Sequence, residues 1–232
     1  MCVYTTDVSP GVMDGDRYRS EWNLDKKAHV ILGSTSALRL HPTPYLPSAV
    51  EQSFQLAGGA VLEYFPECII PFRGSSCMTN TIFHLGPDAV LAYGEIWSAG
   101  RIHHGEVYAF SSYKSATEIW RGPDLVAWDS FVLAPGSGFS PHGGPAAMMD
   151  YTHTAALWIV AEGLGKPELD AIDNILEAAP PVLAGASTLA GQSGIIVRML
   201  GYSAEELQQC SLAVWNVLRP IVIGKPPLRL RK

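Results

Sequence analysis

Short apolar runs, separated by turns that contain glycine and proline, dominate the first half of the chain. The runs have strand length and recur about once every ten residues, which is typical of an all-β arrangement and not of alternating strands and helices. The short "AGGA" connection that follows the first of these runs favours a β-hairpin with the second. The runs predicted as strands are 49–56, 61–65, 76–85, 89–97, 106–113, 116–120 and 125–133.

The stretch "GGAVLEYFPECIIPFRGSS" (58–76) interrupts this pattern with two acids and two prolines. Pro66 and Pro71 lack a backbone N–H, so we expect them at an edge or a corner of a sheet. Glu63 and Glu67 share strand parity but lie about 13 Å apart along a straight strand. A glycosidase pair needs roughly 5–10 Å. We therefore expect two separate polar points, each facing either an interior path or an arginine.

Helical spacing of apolar residues appears late in the chain. Residues 166–180 carry Pro167 in the first turn, which suits a helix start. Residues 203–220 open with the capping box of Ser203 and Glu206, and Pro220 is expected to end this helix. The second helix is apolar over much of its surface, so we expect it to contact more than one neighbour. One more strand is predicted at 194–201.

Composition limits the classes of function. The chain has 232 residues, of which 47% are hydrophobic and 16% charged, against a usual charged share of about 25%. The formal net charge of −6 gives no electrostatic reason to expect a nucleic-acid partner. No apolar run approaches the length of about 18 residues that a membrane span requires. Four cysteines without a C-x-x-C motif predict reduced thiols in a cytoplasmic protein, and we predict one domain over 1–232.

Catalytic motifs of known types are missing from the sequence, and one weak constellation remains. There is no G-x-S-x-G, no G-x-x-x-x-G-K-[ST] and no H-E-x-x-H. His103 and His104 are adjacent, with Glu106 close behind, but neighbouring residues of a strand point to opposite faces. Polar histidines near a turn are the favoured interpretation. A small metal-dependent β-fold enzyme that uses these three residues stays open as the alternative.

Two groups of carboxylates have a structural and a functional interpretation. Glu95 and Glu106 bracket Arg101, and a partly buried Glu–Arg network that holds a strand turn explains this arrangement from chemistry alone. Asp14 and Asp16 flank a glycine, which is a strong turn signal. An oxygen-rich metal contact is the second interpretation of that pair.

Several motifs, in a fixed order along nearly the whole chain, resemble the urease accessory protein family UreD, also called UreH. The motifs are "SPG…GD" (9–16), "GA-x-LE-x-x-P-x-x-x-IP-F" (59–72), "GE…GR…GE" (94–106), "VR-x-LG" (197–201) and "W-x-x-LRP" (215–220). The family has further β structure before the first motif. The resemblance therefore predicts that the family's first strands are missing from this chain.

The resemblance implies a mainly β fold of β-helix-like layered strands, with two α-helices in the C-terminal half. The apolar pattern alone does not separate such a fold from a sandwich or a barrel. It also implies a scaffold without catalytic activity, which binds apo-urease and the accessory protein UreF. UreF in turn recruits the GTPase UreG, and nickel passes through UreF and UreD to the urease active site.

A nickel path needs weak contacts, because the ion must be released again. Dispersed carboxylates suit such transient binding of a borderline cation, and no tightly bound cofactor is expected. Arg101 is the candidate that organises the acids. The candidate path residues are Glu63, Glu67, Glu95, Glu106, Asp14 and Asp16. The residues of the last helix expected to dock UreF are Leu207, Trp215, Leu218 and Arg219.

Overall fold

The structure, a computed structural model, describes residues 1–135, 148–179 and 182–229. Two α-helices, α1 (Lys166–Ala178) and α2 (Ala204–Ile223), lie in the C-terminal half. The strands of the described residues are β1 (Cys2–Thr5), β2 (Arg17–Leu24), β3 (His29–Ser34), β4 (Leu38–Leu40), β5 (Ser48–Leu56), β6 (Val61–Phe65), β7 (Ile69–Pro71), β8 (Ser76–Leu85), β9 (Val90–Ser98), β10 (Ser112–Arg121), β11 (Asp124–Leu133), β12 (His153–Val160), β13 (Leu183–Thr188) and β14 (Gly194–Gly201).

The strands form two layered sheets. The nine-stranded sheet has the order β1-β3-β6-β9-β12-β14-β13, with β4 and β7 beside it, and the five-stranded sheet has the order β11-β10-β8-β5-β2. The chain passes from β2 to β3, from β5 to β6 and from β8 to β9, each time crossing from the five-stranded to the nine-stranded sheet. Strands of successive crossings pair in parallel. This β-solenoid-like arrangement confirms the predicted fold class.

The predicted hairpin between 49–56 and 61–65 is wrong, although both strands exist. β5 and β6 lie in different sheets, and the residues between them form a corner instead of an antiparallel turn. Successive corners stack on one another: the Gly59 amide donates to the Pro87 carbonyl (2.8 Å), and the Gly86 amide donates to the Leu56 carbonyl (2.7 Å). A Cβ on Gly86 would stand 2.9 Å from the Gly58 nitrogen, so this close stacking requires glycine.

The strand predicted at 106–113 is also wrong over most of its length. β10 begins only at Ser112 and continues through the run predicted at 116–120. The residues before it pack around the turn at Arg101: the Glu106 amide donates to the Arg101 carbonyl (3.2 Å), and the Tyr108 amide donates to the Ala99 carbonyl (2.7 Å). These hydrogen bonds take the place of hydrogen bonds to a neighbouring strand, because buried backbone N–H groups need a partner.

The two helices form as the sequence predicts, apart from the end of α2. The Ser203 hydroxyl accepts a hydrogen bond from the Glu206 amide at the start of α2 (3.5 Å). Pro220 does not end this helix, which continues to Ile223 and stops at Gly224 with a φ of +63°. A proline within the last turn removes few helical hydrogen bonds, so burial of the helix outweighs the loss. Neither helix is long and apolar enough to cross a membrane.

The core has two layers, one on each face of the nine-stranded sheet. Between the sheets, a row of aromatic rings in contact includes Phe54, Phe83, Tyr93 and Trp158. On the opposite face, α2 crosses β9, β12 and β14, while α1 packs against β13. Because side chains alternate along a strand, the parity of each residue decides which layer it enters.

Candidate functional site

The space between the two sheets contains a cavity of about 550 Å³ with many polar groups in its wall. Tyr64 and Tyr93 face it from the nine-stranded sheet, and burial raises the pKa of Tyr64 to about 12. The Gln52 amide donates to the Tyr64 hydroxyl (3.1 Å). From β2, the buried Ser20 Oγ and Trp22 Nε1 line the cavity without a hydrogen-bond partner within the described part of the chain. Such orphaned buried groups point to a polar occupant, at least water.

Glu95 projects into this interior from β9, on the same face as Tyr93. Its carboxyl accepts long hydrogen bonds from the Tyr93 hydroxyl (3.3 Å) and the Ser115 hydroxyl (3.4 Å). Burial raises the pKa of Glu95 to about 7, and the charge of Asp129 adds to the increase. Hydrogen bonds from the hydroxyl donors lower the pKa of Glu95, but by less than burial raises it. Glu95 is therefore a carboxyl group poised to lose or bind a proton near neutral pH.

Glu95 also borders a second, smaller cavity of about 50 Å³. Asp129 and Arg198 line that cavity and form an ion pair of 2.7 Å. Glu95 thus stands in the wall of both cavities, between the large one under β2 and the small one beside β11 and β14.

Glu63 lies on the opposite face of the nine-stranded sheet and is completely buried under α2. Arg219 donates from Nε to Oε2 (2.7 Å) and from Nη2 to Oε1 (2.9 Å). Trp215 Nε1 donates to Oε2 (2.6 Å), and His29 Nε2 lies 2.5 Å from Oε1. Burial alone would raise the pKa of Glu63, but these hydrogen bonds outweigh it and hold the pKa below its ordinary value. Glu63 anchors α2 to β6 and does not face the cavity.

Glu106 forms the predicted network with Arg101. Arg101 donates from Nε (2.8 Å) and from Nη2 (2.6 Å) to the two carboxylate oxygens, and the Arg73 amide adds a third bond (3.2 Å). The hydrogen bonds from Arg101 hold the pKa of Glu106 at about 2. The Arg101 guanidinium also lies 4.2 Å above the centre of the Phe72 ring. Glu95 takes no part in this network, although the sequence places it on the other side of Arg101.

The histidines beside this network give the enzyme alternative no support. His103 and His104 are exposed in a short 3-10 turn, and Glu106 is engaged by arginine. Among the described residues, no group of three or more His, Cys, Asp or Glu side chains could hold a metal ion. The preferred interpretation, polar histidines near a turn, fits this position.

The remaining candidate acids lie near the surface. Asp14 Oδ1 accepts from the amides of Tyr45 (3.1 Å) and Leu46 (3.0 Å), and Asp16 Oδ2 accepts from the Met13 amide (2.8 Å). Both aspartates organise turns by these bonds. Glu67 lines the wall of the large cavity and also a surface groove beside α2.

The residues expected to dock a partner lie inside the molecule. Leu207, Trp215 and Leu218 are completely buried, and Arg219 is 6% exposed. They hold α2 on the sheet, so in this conformation they present no surface to another protein. As predicted, α2 contacts several neighbours, and these neighbours, α1, β9, β12 and β14, belong to the same chain.

Sequence reasoning missed the hydroxyl groups around Glu95. Tyr93 shares its parity with Glu95 in the run "AVLAYGEIW", so strand alternation could have found this pair. Ser115 comes from β10 in the other sheet, and no local pattern connects it with Glu95. The same holds for Ser20 and Trp22.

Comparisons with known proteins agree over the whole chain. The family model described as "UreD urease accessory protein" matches residues 1–232. A urease accessory protein UreD of Acetivibrio thermocellus is 31% identical over 224 residues, which cover 94% of this chain and 82% of the relative. The UreD proteins of Bacillus sp. strain TB-90 (25% identity; 99% and 84% covered) and Actinomyces naeslundii (28% identity; 100% and 84% covered) are similar as well.

Proposed function

This chain belongs to the UreD family of urease accessory proteins, and we propose that it guides nickel into the active site of urease. The relatives are named accessory proteins and not enzymes, in agreement with the prediction of a protein without catalytic activity. In the proposed setting, the protein works in the cytoplasm on apo-urease. It acts together with UreF, which brings the GTPase UreG.

The position of Glu95 is the observation that carries the proposal. It stands in the wall of both cavities, and its oxygens accept long hydrogen bonds from the nearby hydroxyls of Tyr93 and Ser115. A divalent cation that approaches this carboxyl would replace its proton, since the pKa of about 7 leaves both forms accessible at neutral pH. The hydroxyl groups around it can complete a weak oxygen coordination.

Weak coordination suits an ion that is cargo. Nickel binds tightly to clusters of imidazole and thiolate ligands, whereas one carboxylate with neutral oxygens binds it loosely. Glu67, which lines the large cavity, is the second acid in this proposed path. Glu63 and Glu106 are bound by arginine, and Asp14 and Asp16 organise turns near the surface through backbone amides, so the proposal leaves these four acids out of the path.

The Glu95→Gln variant tests the proposal, because the amide keeps the size of the side chain and removes its charge. Glu177→Gln on the exposed face of α1 is the matched control. Each variant is assembled with UreF, UreG and apo-urease, supplied with Ni²⁺, bicarbonate and GTP, and assayed for bound nickel and urease activity. Size-exclusion chromatography reports complex formation separately.

We expect Glu95→Gln to form the complex but to deliver less nickel, while Glu177→Gln matches the wild type. Wild-type delivery by Glu95→Gln would overturn the nickel path. It would leave the chain as an adaptor that only holds the complex together.

A further inference from the structure

The end of the described chain folds back along α2 as an extended segment, residues 224–229, which we term the strap. Gly224 has a φ of +63° and reverses the direction of the chain after α2. Leu228 is only 9% exposed, and it joins the core cluster that lies under the helices. The strap therefore covers apolar surface beside α2 with a single inserted side chain.

Two side chains of α2 hold the strap by its backbone. Asn216 Nδ2 donates to the Leu228 carbonyl (3.0 Å), and the Leu228 amide donates to Asn216 Oδ1 (2.5 Å). Arg219 Nη1 donates to the carbonyl of Pro226. The Asn216 amide thus pairs with Leu228 as a neighbouring β-strand would. These contacts recognise an extended backbone and one leucine, which is how grooves that bind extended peptides work.

The strap is suited to such a site because Pro226 and Pro227 restrict it to extended conformations. Proline fixes φ and favours the polyproline II conformation, so little conformational entropy is lost when the segment docks. Lys225 and both prolines are exposed, and Pro226 meets the groove through its backbone carbonyl.

Arg219 is fixed in position by contacts other than those it makes with the strap. Nε and Nη2 of Arg219 bind the buried carboxylate of Glu63, which leaves Nη1 pointing at the strap. A side chain fixed in this way loses little freedom when a peptide binds, so the site is preorganised.

We propose that the groove formed by Asn216, Arg219 and the apolar surface beside α2 that receives Leu228 is a peptide-binding site for an extended Pro-Pro-Leu segment, and that the strap of the same chain occupies it reversibly. A segment joined to the end of α2 has an effective concentration in the millimolar range, which favours its own groove over another molecule's. This proposal is independent of the nickel path.

Leu228→Asp in the full chain tests this proposal, since it should undock the strap and leave the groove intact. The probe is a fluorescent peptide of residues 224–229, GKPPLR, followed by fluorescence anisotropy. We expect binding to Leu228→Asp, and at least about tenfold weaker binding when Asn216→Ala is added, because two hydrogen bonds are lost. The wild type and the matched control Leu125→Asp, at an exposed leucine, should bind little peptide because their own strap fills the groove.

Hydrogen exchange of the Leu228 amide provides a second measurement that does not need a folded Leu228→Asp chain. Asn216→Ala alone should speed this exchange, because the amide loses its acceptor. Unchanged exchange would overturn the proposal, as would peptide binding that is indifferent to Asn216→Ala. A wild-type dimer that Leu228→Asp abolishes would also overturn it, since the strap would then occupy the groove of a second copy.

Discussion

Replacing Glu63 by glutamine should destabilise the protein strongly, although the two side chains have nearly the same shape. Four contacts of 2.5–2.9 Å converge on the carboxylate, two on each oxygen. An amide nitrogen in place of Oε2 would face two donors, Trp215 Nε1 and Arg219 Nε. In place of Oε1 it would face the Arg219 Nη2 donor and His29 Nε2, whose role depends on the histidine tautomer. Hydrogen bonds to charged groups contribute about 1.5–3 kcal/mol each. Breaking a buried ion pair on one side costs about 3–5 kcal/mol, so both estimates give a loss of roughly 3–5 kcal/mol.

Urea unfolding measures this loss. With a slope of about 3 kcal/mol/M, the transition midpoint should fall by roughly 1–2 M. Trp215 donates to Glu63 directly, so its fluorescence reports on the environment that the variant changes. The control is Glu21→Gln, an exposed glutamate of β2, which should change the free energy of unfolding by less than about 0.5 kcal/mol.

A double replacement separates the ion pair from a general effect of mutation. Glu63→Leu and Arg219→Leu should each leave one buried charge unpaired, whereas the double variant leaves none. We expect the double variant to be more stable than the sum of the single losses predicts, by about 2–3 kcal/mol. Additive losses, or a cost of Glu63→Gln below about 1 kcal/mol, would refute the view that this carboxylate anchors α2.

Three further predictions concern pH and packing. The pKa of Glu95 rises from 4.5 to about 7 on folding, so the free energy of unfolding should fall by at most about 3 kcal/mol as pH increases through this window. Urea unfolding at pH 5 and pH 8 should show this decrease in the wild type and not in Glu95→Gln. The pKa of Glu106 falls to about 2 beside Arg101, so the stability that this carboxylate contributes is present above pH 4.5 and is lost as pH falls toward 2. In Glu106→Gln, the unfolding temperature should depend less on pH across that range than in the wild type. Gly86→Ala should cost about 1–3 kcal/mol in urea unfolding, because its Cβ would stand 2.9 Å and 3.0 Å from backbone atoms, while Gly185→Ala, with open space around it, should be nearly neutral.

Most of the strands that the sequence predicted are present, but the sequence did not predict how they connect. Apolar runs and turn residues are local signals, and β5, β6, β8 and β9 lie within about a residue of the predicted positions. The "AGGA" turn looks the same whether the next strand folds back in one sheet or crosses to the other. The difference depends on stacking against the next corner, about thirty residues later, and no local pattern contains it. The resemblance to a family supplied this part of the fold.

The roles of the acids were predictable only where their partners are near in sequence. Glu106 and Arg101 are five residues apart, and their network was foreseen. Glu63 meets Trp215 and Arg219, which lie 152 and 156 residues further along the chain. Nothing near Glu63 indicates those partners. Strand parity does place Glu63 and Glu95 on defined faces, but it does not say which face α2 will cover.

Glu63 and Glu95 show how one sheet can give two interior carboxylates opposite properties. Burial raises the pKa of both, yet four short contacts with Arg219, Trp215 and His29 reverse the effect at Glu63, while the long bonds from hydroxyl groups do not at Glu95. Both oxygens of Glu63 are occupied, so this carboxylate serves to hold α2 on the sheet. Glu95 keeps lone pairs that face open space and can exchange its proton for a cation. The number and length of the donor contacts therefore distinguish an acid that holds the fold from one that can serve the proposed passage of nickel.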